Sequence, residues 1–345
     1  KLTWIALNEP HVWGQVTSGR VAIGTVDSYL IARMTRGLHH VTDASNASRT
    51  LLYDIREGGW SQELCDLFRV PREALPEVVP SYGVVGRTDP DVFLGLDLPI
   101  AGIAGDQQSA LFGQACFRPG MTKNTYGTGS FVLLNAGSTP PPPVPGLLST
   151  VAWRIGERTT YATEASIFVT GAAIQWLRDG LGIIERASDT EALAASLDSN
   201  EGVYFVPALT GLGSPHWDPY ARGTIVGLTR GSTRAHLARA ALEGIAFQTL
   251  DAVRAMEAAT GAALTELKAD GGAVANRWLM QFQADVLGVP EAMMAHYLGW
   301  VRLPKPLTVP VPRERAVSFG RGSEASRERF TVTGIPRRFR TRIRY

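Results

Sequence analysis

The chain has 345 residues, 45% of them hydrophobic, and a formal net charge of +2, enough for two domains with ordinary buried cores. No apolar run is long enough to span a bilayer, no signal peptide is read at the start, and the two cysteines, Cys65 and Cys116, match no metal spacing. These features exclude a membrane-span, disulfide-scaffold or zinc-module reading, and predict buried free thiols in a reducing, cytoplasmic compartment.

The charge is unevenly spread. Residues 301–345 hold 11 Arg and 1 Lys against 3 Glu, net +9, which leaves −7 for the rest. A basic tail is one route to nucleic acid or a membrane surface, but a different origin is read for it below.

Apolar, β-branched and helical patterns alternate along the chain, which predicts an α/β fold. Residues 25–37, TVDSYLIARMTRG, read as a helix capped by Thr25 or Asp27 and stopped by Gly37. Residues 61–70 read as a second helix with Leu64, Leu67 and Phe68 on one face. PIAGIAG (99–105) reads as a buried strand that delivers Asp106 at its C-terminal end, where open α/β sheets bind ligands. SALFGQACF follows as a helix, and TKNTYGT and SFVLLNA form a hairpin. The prolines between Thr139 and Gly146 predict a stiff surface loop, and VAWRI with TTYATE a second hairpin around Gly156-Glu157.

Residues 171–184 are helical in pattern. Residues 232–259 give the clearest helix, capped by Ser232 or Thr233, with Leu237, Leu242, Ile245, Leu250, Val253 and Met256 as its core face. Residues 264–289 read as strand, turn and helix, with Asp270-Gly271-Gly272 at the turn and the helix starting near Ala273. Adjacent glycines let a backbone approach a ligand closely, and a helix N-terminus favours phosphate. An ordinary sharp turn has the same residues.

The chemistry concentrates in residues 104–131, AGDQQSALFGQACFRPGMTKNTYGTGSF. Asp106 stands directly before the amide pair Gln107-Gln108, and Gly127-Thr128-Gly129 makes a tight turn. A kinase acting on a hydroxyl needs a carboxylate to orient the hydroxyl and take its proton. It also needs a turn that offers N–H groups and a hydroxyl to phosphate oxygens. Taken singly, Asp106 is equally a helix N-cap and the glycines an ordinary turn. His39-His40 lacks further ligands at metal spacing, and with Trp217-Asp218 and Arg222 it is read as surface or loop.

Five blocks in order resemble the glycerol kinases of the FGGY carbohydrate kinase family. They are KLTWIALNEP, GTVDSYLIARMTRGLHHVTDASNASRTLLYD, the AGDQQ to NAG stretch, LTGLGSPHWDPYARGTIVGLTRGSTRAHLARAALEGIAFQT and ADGGAVANRWLMQFQADVLGVP, together covering roughly residues 1–290. The resemblance implies an actin-like, ribonuclease-H-like α/β fold of two domains with ATP and substrate between them. Residues 1–114 would be the remainder of the N-terminal, substrate-side domain and residues 115–290 the nucleotide-binding domain.

It implies Asp106 as catalytic base beside the attacking glycerol hydroxyl, Gln107 as a second glycerol contact and Phe131 as an apolar wall. Thr128 would meet phosphate, and Gly171, Gln175, Gly272 and Asn276 would line the nucleotide pocket. The implied reaction is ATP:glycerol 3-phosphotransfer, with Mg²⁺ bridging the β- and γ-phosphates and no protein metal site assigned. Glycerol is then the partner, nucleic acid is not, and a homo-oligomer is left open. A kinase of another polyol or sugar, and an inactive fragment, are the alternatives.

The family's first phosphate-binding hairpin, upstream Asp and glycerol-gripping Arg-Glu pair and Tyr find no counterpart here, so the sequence reads as N-terminally truncated. The resemblance stops after Val289-Pro290. In the Arg/Pro-rich segment 291–345, Pro304, Pro306, Pro310 and Pro312 exclude a long helix. A change of reading frame near residue 291 is the expected origin.

Overall fold

The computed structural model describes residues 1–288; the segment 291–345, and the expectations attached to it, lie outside the described residues. The architecture is mixed α/β. Its centre is a seven-stranded sheet in the spatial order Glu266–Gly271, Met121–Tyr126, Ser130–Gly137, Arg158–Ile167, Leu148–Ile155, Tyr82–Arg87, Pro99–Gly102. Both expected hairpins form. Met121–Tyr126 runs antiparallel to Ser130–Gly137, and Leu148–Ile155 antiparallel to Arg158–Ile167. Glu266–Gly271 adds in parallel beside Met121–Tyr126, placing Asp270 opposite Thr125.

Side chains alternate across a strand, so each strand has two unlike faces. On one face Val132, Leu134, Ala165 and Ile167 pack against Ala252, Val253 and Met256 of the helix Arg234–Thr260. On the other, Met121, Leu133 and Ala162 receive Leu111 of the helix Asp106–Gly113. That apolar contact anchors the helix over the sheet and sets Asp106 at its first turn. The same face carries Lys123, Thr125, Phe131 and Glu164 in register with one another.

The helix Arg234–Thr260 matches its periodicity: Leu242, Ile245, Val253 and Met256 are buried, whereas Leu237 and Leu250 are half-buried. It starts in a capping box. The Thr233 hydroxyl takes backbone N–H groups of the first turn, and His236 reaches back to the Thr233 N–H. It ends at Gly261 with φ +68°, a left-handed cap that suits glycine. Thr233→Ala is expected to destabilise the fold by about 1 kcal/mol, read as a lower urea midpoint with an unchanged slope.

Several local expectations are corrected. The helix after Gly24 runs Val26–Met34; Thr25 occupies its N-cap position, but its hydroxyl bonds the Asp27 carboxylate, and the left-handed Arg36 (φ 54°) precedes Gly37. In Gln62–Phe68, Leu67 is exposed and Cys65 takes the core position. Pro99–Gly102 is an edge strand, half-buried at most, because among the described residues no strand lies beyond it. The following helix begins at Asp106 itself and stops at Gly113, since Ala115 turns left-handed with φ 56°.

The 171–184 pattern divides into an α-turn, Gly171–Gln175, and a π-turn, Trp176–Gly180. After Gly271 a single 3₁₀ turn, Gly272–Ala275, intervenes, and the helix starts at Arg277 behind the Asn276 cap. The cysteines are both buried free thiols. Among the described residues no helix is long and apolar enough to cross a membrane.

Candidate functional site

Asp106 borders a pocket of about 500 Å³ whose walls also include Gln107, Phe131, Asn46, Arg49 and Glu164. Asp106 is exposed there, and its oxygens accept from the Gln107 backbone N–H at 2.8 Å and from the Gln107 side-chain amide at 3.2 Å. Gln108, the other half of the amide pair, is buried and donates to Thr150 Oγ1 at 3.0 Å. One glutamine therefore faces the pocket and the other fastens the helix to the sheet.

The backbone leading into Asp106 is held from an unexpected direction. The Gly105 N–H donates to Ser45 Oγ at 2.9 Å, and the Ser45 hydroxyl donates to the buried Asp43 at 2.8 Å. Asp43 also accepts from the N–H groups of Ser45 and Asn46, the Asn46 side chain and Ser81. A buried carboxylate so fully hydrogen-bonded makes a rigid post. Arg49, from the same short segment, pairs with the buried Glu164 at 2.8 Å.

A second pocket, of about 380 Å³, opens on the other side of the hairpin tip. Thr128 and Gly127 form one wall, Gly171 and Gln175 a second, and Gly272 and Asn276 a third. The turn is clamped to the 171–175 helix: the N–H groups of Gly171 and Ala172 donate to the carbonyls of Gly127 and Thr128, both at 3.0 Å. Gly171 must be glycine for this approach, because a Cβ there would lie 2.6 Å from the Gly127 carbonyl oxygen.

Gly271, at φ +93°, lies so close to the Tyr126 backbone that a Cβ would collide with it, whereas beside Gly272 there is open space. Asn276 caps the last helix through Oδ1, accepting from the Leu279 N–H at 2.9 Å, and donates through Nδ2 to Thr190 Oγ1 at 3.1 Å. Leu242, Ile245 and Ile174 supply an apolar side.

The structure thus brings Asp106, Gln107 and Phe131 into one pocket, and Thr128, Gly171, Gln175, Gly272 and Asn276 into the other. Both pockets share the hairpin, with Phe131 three residues past Thr128. Sequence reasoning missed Asn46, Arg49 and Glu164 in the first, and Arg178, Ser188, Thr190 and Glu191 in the second. Arg178 had a signal, three residues after Gln175 on a helical pattern, and Asn46 and Arg49 stand in a block that carries the resemblance; Glu164, Ser188, Thr190 and Glu191 come from segments without a motif.

The residues read as surface or loop have structural partners. His40 Nε2 meets the Ile23 carbonyl at 2.8 Å, Trp217 Nε1 donates to the Gly146 carbonyl at 2.7 Å, and Asp218 accepts from the N–H groups of Tyr220 and Ala221.

Residues 1–113 match the FGGY family of carbohydrate kinases, N-terminal domain, and residues 122–297 match its C-terminal domain. The chain is 59% identical to the glycerol kinase of Trichlorobacter lovleyi over 290 residues, and 57% identical to that of Geobacter sp. strain M21 over 291. Each alignment covers 84% of this chain and 58% of the relative, so the chain spans little more than half the length of these curated relatives. The crystal structure of Plasmodium falciparum glycerol kinase with ADP superposes with a TM-score of 0.78 at 36% identity, over 84% of this chain and 57% of that one. The architecture is that of the actin-like ATPase fold.

Proposed function

The chain belongs to the FGGY family of carbohydrate kinases, and from that premise we propose that it carries the catalytic carboxylate and the nucleotide pocket of an ATP:glycerol 3-phosphotransferase. The observation that supports this most is the separation of the candidate residues into two pockets that share one hairpin. In this reading residues 1–114 are the substrate lobe and residues 115–290 the nucleotide lobe.

Glycerol lies against Phe131 with one hydroxyl on Asp106, and the triphosphate reaches over the Thr128 turn from the second pocket. The hydroxyl oxygen bonds to the γ-phosphorus as the bond from that phosphorus to the ADP oxygen breaks. The hydroxyl proton passes to an Asp106 oxygen. Such transition states are loose, so the proton leaves late and a weak carboxylate base suffices; positioning supplies most of the rate. The Asp43–Ser45–Gly105 post supplies that positioning from behind.

Mg²⁺ would enter on the phosphates and neutralise charge there. Among the described residues no group of three or more His, Cys, Asp or Glu is placed to hold a metal ion. The cytoplasmic location belongs to the same proposal.

Phosphorus NMR of the products from ATP with glycerol, xylulose or gluconate tests the reading. Glycerol 3-phosphate as the dominant product is expected. Preferential phosphorylation of either sugar compound would replace glycerol with a larger substrate.

A further inference from the structure

Beneath the Asp106 pocket the sheet carries a row of charged side chains. Lys123 is completely buried in the middle of Met121–Tyr126. On its face of the sheet, Asp270 stands opposite Thr125 on one neighbouring strand, and Glu164 lies in line with Lys123 across Leu133 on the other side. Glu164 in turn holds Arg49. The row through Lys123 runs Lys268, Lys123, Glu164 and Arg49, since Lys268 stands directly opposite Lys123, with Asp270 two residues along from Lys268. One buried oxygen of Asp270, Oδ1, and one of Glu164, Oε2, have no hydrogen-bond partner among the described residues, while their other oxygens accept from Gln114 and Arg49; both carboxylates favour the ammonium by charge without a direct ion pair.

The ammonium donates to Thr125 Oγ1 at 2.9 Å and to Gln107 Oε1. The other end of the same amide, Nε2, donates to Asp106 Oδ2. A glutamine amide has two ends of nearly equal shape, and its partners decide which way it points. An ammonium has three donors and no acceptor, so it admits only the oxygen end. An apolar residue of similar length would fill the space without the cost of burying a charge.

We infer that Lys123 is a positioning residue for the phosphoryl transfer proposed above: it fixes the Gln107 amide with its oxygen inward, so that the NH₂ faces the Asp106 carboxylate and the incoming alcohol. This rests on the reading of Asp106 and Gln107 as the glycerol-side groups. Lys123 touches neither reactant in this account and acts through Gln107.

The lock depends on the ammonium form. Burial pulls Lys123 down to about 8, against the opposing pull of Asp270, Glu164 and Asp106. Other groups facing it or joined to its row are Cys116, whose thiol burial pushes up to about 12, Arg49 behind Glu164, and the adjacent Lys268 and Glu266. Once neutral, the amine has a lone pair and accepts from Nε2 as readily as it donates to Oε1. The lysine's share of the lock is then lost as pH rises through about 8, and the Asp106 carboxylate, which only accepts, alone holds the NH₂ end.

The test needs no substrate. In the ¹⁵N-labelled chain, the Gln107 side-chain NH₂ resonance is followed from pH 6.5 to 9.5. It is expected to shift with a midpoint near 8, and the shift should vanish in Lys123→Met. Side-chain order at Gln107 should fall in Lys123→Met and return in Lys123→Arg, since arginine also lacks an acceptor. A Gln107 resonance in the wild-type chain that does not titrate between pH 7 and 9 overturns the inference, whether or not the variants fold. Glycerol is then added. A roughly tenfold weaker glycerol affinity in Lys123→Met, recovered in Lys123→Arg, is expected; equal affinities would also overturn it. If the titration appears but wild-type glycerol binding does not, the Lys123–Gln107 linkage stands and the glycerol reading falls.

Discussion

Asp106→Asn is expected to lower glycerol-dependent ATP turnover by about 10²–10⁴-fold, the usual worth of a positioned acid or base. The change is isosteric, and Asp106 is exposed, its side chain bonded among the described residues only to Gln107, so the fold loses little. What disappears is the ability to accept the alcohol proton. The new side chain keeps one acceptor oxygen, but its NH₂ takes the place of the other and meets one of the two Gln107 donors, so one hydrogen bond is lost. The loss should fall on kcat, since the second pocket is untouched and ADP affinity should stay within a factor of two or so. A coupled ADP-release assay beside calorimetric ADP titration and urea unfolding separates these terms. Turnover within tenfold of wild type would remove Asp106 from the chemistry.

Gly171→Ala is expected to weaken ADP binding about 10- to 100-fold. The added Cβ would sit 2.6 Å from the Gly127 carbonyl oxygen and 3.4 Å from its carbon. Both are backbone atoms, so no side chain can swing aside. The strain also lands on the two hydrogen bonds that clamp the Gly127–Thr128 turn to the helix. Forcing a group into a filled space costs about 1–3 kcal/mol, and 1.4 kcal/mol is tenfold in affinity. Isothermal titration with ADP measures the effect, and glycerol affinity measured alongside should not change. Wild-type ADP affinity in this variant would show that the turn does not hold phosphate.

The parts of the fold legible in the sequence are those whose physics is local. Strand-like runs on either side of Gly127–Gly129 and of Gly156-Glu157 specify hairpins, because a tight glycine turn between two such runs leaves few alternatives. The 234–260 helix was visible for the same kind of reason: its apolar residues repeat at helical spacing between a threonine cap and a glycine stop. Short elements were less legible. The roughly two turns of Gln62–Phe68 cannot distinguish Leu67 from Cys65 as the inward residue, and tertiary packing chose the cysteine.

The site was half legible. Asp106, Gln107 and the Thr128 turn stand close together in sequence and carry a resemblance; Gly272 and Asn276 join them only through the parallel pairing of two strands more than a hundred residues apart. Asp43 and Lys123 could not be found from composition. A buried aspartate is indistinguishable from a surface one until Ser45, Asn46 and Ser81 converge on it. A lysine on a strand reads as solvated until Asp270 and Glu164 enclose it from strands distant in the chain.

A crystal structure with ADP and glycerol tests the central assignment most directly. Glycerol should lie between Phe131 and Asp106 with one hydroxyl within hydrogen-bond reach of an Asp106 oxygen, and the β-phosphate of ADP should meet the Thr128 turn at the hairpin tip that the two pockets share. Glycerol outside the Asp106 pocket, or ADP phosphates directed away from Thr128, would contradict the account.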